Sequence, residues 1–243
     1  MLLIIAAVPA ETKLLRRQLS ATKTDLLGNC QLIFGSIHQQ QILLAHSGVG
    51  ATAMAIRLTR LLENYPCAAV LLCGCGGSYP DSDLQIGDLA LASDEVHADL
   101  GVATATEFIP LDQLDIPQDP QLMPSTQQRF ELNSPLLTWA RQQLPEVACG
   151  SFVTVSCCSG HPQLSDELQR RTGGLCENME GAAAAQVCAE FGLPLLELRG
   201  ISNPTGSRDP QLWNIKVGVE AAQRGLLQLL KNWPAAEESR CAN

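Results

Sequence analysis

Residues 2–8, Leu2-Leu3-Ile4-Ile5-Ala6-Ala7-Val8, form an unbroken apolar run. A strand with one wet face alternates apolar and polar side chains. A run without alternation belongs to a strand covered on both faces, the condition inside a parallel sheet. Residues 68–73 read the same way, and 152–156, 175–179 and 194–198 are further strand candidates. Helices separate them. One is expected from 10 to about 19. A second follows Gly48-Val49-Gly50, with Met54, Leu58, Leu61 and Leu62 on one face. Ser134-Pro135 supplies an N-cap and a first helical residue. An alanine-rich helix covers 181–191, closed by Gly192, and a last helix covers 217–233. Residues 31–34 and 41–45 read as strands joined by a short turn, and Gly87-Asp88 turns the chain into a strand at 89–92. Strands alternating with helices and buried on both faces imply an α/β domain with a largely parallel sheet. Residues 1–234 form the single expected domain, with a loop or flap at 112–126 and a polar tail at 235–243.

The chain has 243 residues, enough to bury a core without staples, and its 46% hydrophobic content excludes disorder. A net charge of −9 argues against general nucleic-acid binding, which needs a basic surface to neutralise phosphates. The apolar start has no basic leader and soon meets Pro9, Glu11 and Lys13; no later run approaches membrane length. A soluble cytoplasmic protein without membrane or nucleic-acid partners is expected. The ten cysteines contain no C-x-x-C pair, and His38, His46, His97 and His161 have no paired spacing. Neither a metal site nor a disulfide framework is expected, and most thiols read as small buried hydrophobes of a reducing compartment. Gly48-Val49-Gly50 and Gly74-Cys75-Gly76-Gly77 lack the Gly-Lys-Ser/Thr of a Walker loop and the full dinucleotide fingerprint, so no nucleotide cofactor is expected.

In an open α/β sheet, ligands bind beyond the carboxyl ends of the strands. That rule collects Glu11 after the first strand and the glycine turn 74–77 after the strand at 68–73. It also collects the segment 157–161 after 152–156, Met179 and Glu180 before the alanine-rich helix, and Arg199 and Asn203 after 194–198. Each has a plainer reading. Glu11 and Glu180 suit helix N-termini as first-turn acids. Arg199 suits a structural partner of an acid, Asn203-Pro204 a turn, and the glycines tight turns or close backbone approach. Against these stands the chemistry of the types: a carboxylate in a closed pocket is an acceptor-only group that orients water or grips paired hydroxyls. Ser47 and Ser156 lack a triad partner, and no G-x-S-x-G elbow is present.

Taken together, Asn178-Met179-Glu180-Gly181-Ala182-Ala183-Ala184-Ala185-Gln186-Val187-Cys188, Pro194 and Arg199-Gly200-Ile201-Ser202-Asn203 closely resemble the signature of the purine nucleoside phosphorylase/nucleosidase superfamily. His46-Ser47-Gly48-Val49-Gly50, the glycines at 74–77 and Leu84-Gln85-Ile86-Gly87-Asp88 recur in the expected order. Asp99-Leu100-Gly101-Val102, Ser78-Tyr79-Pro80 and Arg208-Asp209 followed by Trp213 look most like the futalosine hydrolase branch. The resemblance implies a three-layer α/β/α sandwich about a mixed, largely parallel sheet, no cofactor, and a homo-oligomer of two or more subunits. It implies cleavage of the N-glycosidic bond between ribose and a purine, here the hypoxanthine of futalosine, in menaquinone biosynthesis.

Carried over by position, Glu11 positions and deprotonates the attacking water, Glu180 beside Met179 holds the ribose hydroxyls, Arg199 supports the polar network and Asn203 faces purine N7 and O6. Gly48, Gly74, Cys75, Gly76, Ser156 and Cys157 fall at substrate-binding positions. Arg208 and residues 107–110 are candidates for futalosine's carboxyphenyl tail. Phosphorylases of the superfamily place arginines and glycines after the first strand to bind phosphate; Ala7-Val8-Pro9-Ala10-Glu11 offers a carboxylate instead, which favours water. Gly74 stands where many nucleosidases carry serine, and Asn178 replaces an acid common before the methionine. A 6-oxopurine nucleoside phosphorylase and a methylthioadenosine-type nucleosidase are the enzymatic alternatives. A non-catalytic nucleoside-binding protein is expected to lack one of Glu11, Glu180 or Asn203, and all are present.

Overall fold

A computed structural model describes residues 1–116 and 127–234. In it β1 (Leu2–Ala6) is buried at every position because the core has two sides: Leu3 and Ile5 enter one apolar cluster, Leu2 and Ile4 another. A 3-10 turn (Pro9–Thr12) and α1 (Lys13–Gln18) lead into a meander of β2 (Ser20–Leu27), β3 (Cys30–Ile37) and β4 (Gln40–His46). α2 (Ala51–Asn64), β5 (Ala69–Ser78) and β6 (Leu89–His97) follow, then a small hairpin of β7 (Gly101–Ala103) and β8 (Phe108–Pro110). The second half contains β9 (Arg129–Glu131), α3 (Pro135–Gln143), β10 (Ala148–Thr154), α4 (Pro162–Thr172), β11 (Cys176–Asn178), α5 (Gly181–Glu190), β12 (Leu195–Pro204) and α6 (Ile215–Lys231).

The main sheet runs β11-β10-β6-β12-β5-β1-β4-β3-β2, with β9 paired to β6. Pairing is parallel at β1–β4, β1–β5, β5–β12, β6–β10 and β10–β11. It is antiparallel in the meander and between β6 and β12. β11 also pairs with the far end of β5, Cys176 opposite Ser78 and Glu177 opposite Gly77, so β5, β12, β6, β10 and β11 close into a ring. α2 and α5 pack on one face and α1, α3 and α6 on the other, which makes the three-layer α/β/α arrangement. α6 lies directly on β12, because a Cβ on Gly200 would stand only 1.9 Å from Gly218 O.

Two strands run beyond their apolar cores, and this corrects the reading of the glycines. Gly74-Cys75-Gly76-Gly77 is the second half of β5 and not a turn. Arg199 and Asn203 sit within β12, opposite Gly74 and Gly77, and not after it. Glycine serves close approach here: a Cβ on Gly76 would lie 2.3 Å from Cys176 Sγ, and one on Gly77 2.9 Å from Thr205 Cγ2. β2 has no apolar pattern to announce it, since Ser20–Leu27 is an almost wholly exposed edge strand. α4 was likewise unmarked; it is capped by His161, whose Nδ1 accepts the N–H of Leu164 at 3.2 Å. The Ser134 cap is present, its hydroxyl accepting the N–H of Leu137.

Residues 117–126 of the expected loop and 235–243 of the expected tail lie outside the described residues. The described cysteines are free thiols; Cys30, Cys73, Cys176 and Cys188 are buried, whereas Cys157 and Cys158 are exposed and not core filler. Among the described residues no helix is long and apolar enough to cross a membrane.

Candidate active site

At the C-terminal end of β1 the 3-10 turn points Glu11 back towards the sheet. Its Oε2 accepts the backbone N–H groups of Ala7 (3.0 Å) and Val8 (3.1 Å), and its Oε1 accepts that of Cys75 (3.0 Å). Thr12 ties the same turn to β4 through His46, 2.8 Å from Oγ1 to Nε2. Burial and the charge of Arg16 press the His46 pKa down to about 4, so the ring is neutral at pH 7. Burial raises the Glu11 carboxyl above its usual range; Arg199 and the N–H groups of Cys75 and Val8 counter part of that rise. Gly74 leaves the room these groups need. A Cβ there would stand 2.7 Å from both Arg199 Nη1 and Glu11 Oε1.

Glu180, at the start of α5, meets Glu11's neighbourhood from the other side. Its Oε1 accepts the N–H of Gly50 at 2.9 Å and its Oε2 faces Arg199 Nη1 at 3.3 Å. Gly48 and Gly50 have φ of 89° and 96°, a region that favours glycine, and the bend turns the Gly50 amide inward. Arg199, 2% exposed, also donates Nε to Glu197 at 2.8 Å, Nη1 to Cys75 O at 3.2 Å and Nη2 to Asn178 Oδ1 at 3.3 Å. Burial alone would weaken its hold on the proton, but Glu197, Glu180 and Glu11 outweigh burial and keep it firmly charged. An amide suits position 178 better than an acid, because Nδ2 donates to Glu95 Oε1 at 2.7 Å while Oδ1 accepts the N–H groups of Glu180 (2.9 Å) and Gly181 (2.7 Å) in the first turn of α5.

Glu11, Glu180, Met179 and Arg199 line a cavity of about 250 Å³ together with Cys75, Gly76 and Asn203. The Asn203 amide accepts Ser202 Oγ at 2.7 Å and gives one of its two Nδ2 protons to Pro204 O at 2.9 Å. Towards the mouth, the Arg208 guanidinium lies 4.6 Å from the Trp213 ring centroid, and Val8, Val49 and Ile215 form a partly exposed apolar rim.

Four expected positions fall elsewhere. Gly48 does not line the cavity; its N–H bonds Ala7 O at 3.0 Å, and Val49 reaches the space instead. Gly74 acts from behind, as the clearance for Glu11 and Arg199. Ser156 and Cys157 give way to Cys158 and Ser159. The cause is Glu177, which accepts the Ser159 N–H (3.1 Å) and hydroxyl (2.7 Å) and the Tyr79 hydroxyl (3.1 Å), drawing Ser159 in. The Ser156 N–H turns to Asp99, and Cys157 faces a separate basin of about 810 Å³ between the β7–β8 hairpin and α4. Glu107 and Phe108 line that basin too, so they do not meet the carboxylates. Two buried acids, Glu95 and Glu197, escaped the sequence reading. Their signal was a carboxylate in the middle of a strand otherwise covered on both faces.

The sequence pattern of the phosphorylase superfamily matches residues 2–231. A futalosine hydrolase of Thermus thermophilus is 34% identical over 186 residues, 76% of this chain and 79% of that protein. A 5'-methylthioadenosine/S-adenosylhomocysteine nucleosidase of Tolumonas auensis is 28% identical over 94% of this chain and 97% of its own. Solved structures of a 5'-methylthioadenosine/S-adenosylhomocysteine nucleosidase and an S-adenosylhomocysteine nucleosidase share the fold. One from Helicobacter pylori, with butyl-thio-DADMe-Immucillin-A, gives a TM-score of 0.82 at 21% identity, covering 95% of this chain and 97% of that one. One from Streptococcus pyogenes gives 0.81 at 22% identity, covering 96% and 97%.

Proposed function

The chain belongs to the phosphorylase superfamily, and from that premise we propose that it hydrolyses the N-glycosidic bond of futalosine, releasing hypoxanthine and dehypoxanthine futalosine for menaquinone biosynthesis. One observation carries the reading: Glu11, Glu180 and Asn203, from three distant stretches of sequence, line one cavity. Glu11 takes the proton of the attacking water. Three backbone N–H groups fix its orientation, and the remaining lone pair, on Oε1, stays available to the solvent molecule. A carboxylate at that place repels phosphate, which favours hydrolysis over phosphorolysis. Glu180 accepts the ribose hydroxyls. The transition state carries positive charge on the sugar, so two carboxylates near it stabilise what develops there.

The leaving purine gains negative charge and needs a donor. The Asn203 amide offers N–H to the carbonyl oxygen of a 6-oxopurine, whereas a 6-amino group would face it donor to donor. Such a mismatch in a buried pocket costs about 1–3 kcal/mol, roughly ten- to a hundredfold in selection. Arg208 on Trp213, beside the apolar rim, supplies the cation and surface a carboxyphenyl tail requires. The Tolumonas auensis relative favours a second reading, cleavage of methylthioadenosine-type nucleosides.

Incubation with futalosine, aminofutalosine, methylthioadenosine and inosine, with and without phosphate, separates these readings when free base is followed by chromatography. Futalosine should give the highest kcat/KM, without phosphate. A higher value on methylthioadenosine refutes the choice of substrate, and an absolute phosphate requirement refutes hydrolysis. The same reading makes the enzyme a cytoplasmic homo-oligomer, which light scattering on the purified protein checks for assembly.

A further inference from the structure

Glu95 on β6 and Glu197 on β12 are both 0% exposed, and neither lines the cavity. Their carboxyls meet at the start of α5: a Cβ on Gly181 would stand 1.9 Å from Glu95 Oε1 and 2.6 Å from Glu197 Oε2. Glu95 accepts Thr154 Oγ1 and Asn178 Nδ2, each at 2.7 Å. Glu197 Oε1 accepts Arg199 Nε, while its Oε2 is buried with no donor as long as every carboxyl is ionised. The charge count is uneven. Arg199 already faces Glu11, Glu180 and Glu197, so an ionised Glu95 would be a fourth buried carboxylate around one guanidinium. A proton on Glu95 answers both problems, since it removes the surplus charge and gives Glu197 Oε2 a donor.

The titratable groups around the pair agree on which member carries it. Burial and the like charge of Glu197 push Glu95 well above the usual carboxylate range, and Arg199 counters little of that. Burial also raises Glu197, but Arg199 at its Nε draws it back. Cys176 and Cys188, whose thiols burial keeps protonated, and the Glu180 carboxylate complete the surroundings.

We propose that Glu197 is a positioning residue for glycosidic cleavage and that Glu95 is its proton-bearing partner: the Glu95 carboxyl donates to Glu197, whose negative charge fixes Arg199 between Glu11 and Glu180. The positioning half rests on the hydrolase roles given above to Glu11 and Glu180; the proton on Glu95 does not.

Infrared spectroscopy of the folded enzyme at neutral pH, combined with base release from futalosine by Glu95→Gln, Glu197→Gln and Glu197→Asp, tests both halves. Wild type should show the band of a protonated, buried carboxyl, and Glu95→Gln should lack it. Glu95→Gln keeps a donor to Glu197 but presents an amide N–H where Asn178 Nδ2 has an acceptor, so kcat should fall, by less than in Glu197→Gln. Glu197→Gln removes the charge that holds Arg199 and should lower kcat at least about tenfold, with Glu197→Asp recovering part of the loss. Absence of the band in wild type, its survival in Glu95→Gln, or a greater loss in Glu95→Gln than in Glu197→Gln overturns the proposal. If Glu197→Gln does not fold, the band and the Glu197→Asp kinetics decide. If no nucleoside is cleaved, the functional reading fails while the band still reports on the proton.

Discussion

At the inner end of the cavity, Glu11, Glu180 and Arg199 are each at most 5% exposed, and their contacts are to backbone amides or to other buried side chains. At the outer end, Arg208 and Trp213 lie on the segment between β12 and α6, joined to each other by a ring contact, with Trp213 Nε1 donating to Ser207 O and the Trp213 N–H to Pro210 O, each at 3.2 Å. Asn203 stands between the two, at the C-terminal end of β12. On the proposed function, the contrast separates two tasks. Groups that meet developing charge are fixed by strands and helices, where no reorganisation is needed as the reaction proceeds. Groups that select a substrate's periphery sit on a connecting segment, where exchange costs the core little.

The largest test of that contrast is Glu11→Gln. An amide cannot take the water's proton, so kcat on futalosine should fall by about 10²–10⁴-fold, measured under saturating substrate. Retention of more than about a tenth of wild-type kcat breaks the assignment of chemistry to the inner end. Next comes Asn203→Asp, which should move the ratio of kcat/KM for 6-amino over 6-oxo nucleosides upward by about ten- to a hundredfold. An unchanged ratio removes Asn203 from base selection. Arg208→Ala should raise KM for futalosine by about tenfold, some 1.4 kcal/mol, and leave kcat nearly unaltered. If inosine is a substrate, its KM should hardly move; equal effects on both count against a role in holding the tail.

The smallest effect expected is in the pH profile. In the proposed reaction Glu11 acts as a base and must be ionised, and burial raises its pKa above the ordinary 4.5. The acid limb of kcat/KM should therefore lie at higher pH than an unperturbed glutamate would give, with activity lost as pH falls through that raised value. A limb that does not respond to Glu11→Asp means another group limits the rate there.

Much of this was legible in the chain. The apolar runs at 2–8 and 68–73 mark strands covered on both faces, and β1 divides its side chains between two cores as that pattern requires. The Asn178–Gly181 and Arg199–Asn203 stretches stand out in the chain because they fall at the ends of strand candidates, where such sheets bind ligands, and Met179, Glu180, Arg199 and Asn203 do line one cavity. The glycines at 74–77 read in sequence as a reversal yet lie within β5, since glycine signals reversal and close approach with the same letter. Ser156 and Cys157 were placed two residues early, because Ser159 is selected by Glu177, a partner 18 residues away. The β2 edge strand and α4 carry few buried apolar residues, and nothing in hydropathy alone distinguishes such segments from loops.

By itself the sequence determined the α/β layering and the chemical types brought to the sheet's edge, because apolar periodicity follows from which faces must be covered. Only the tertiary structure decided how those groups share charge. Glu95 and Glu197 are 102 positions apart in the chain, and whether one carboxyl keeps its proton depends on the distance to the other and to Arg199. Coulomb energy and desolvation act through space, so a linear pattern names the residues of the network but leaves its protonation to the fold.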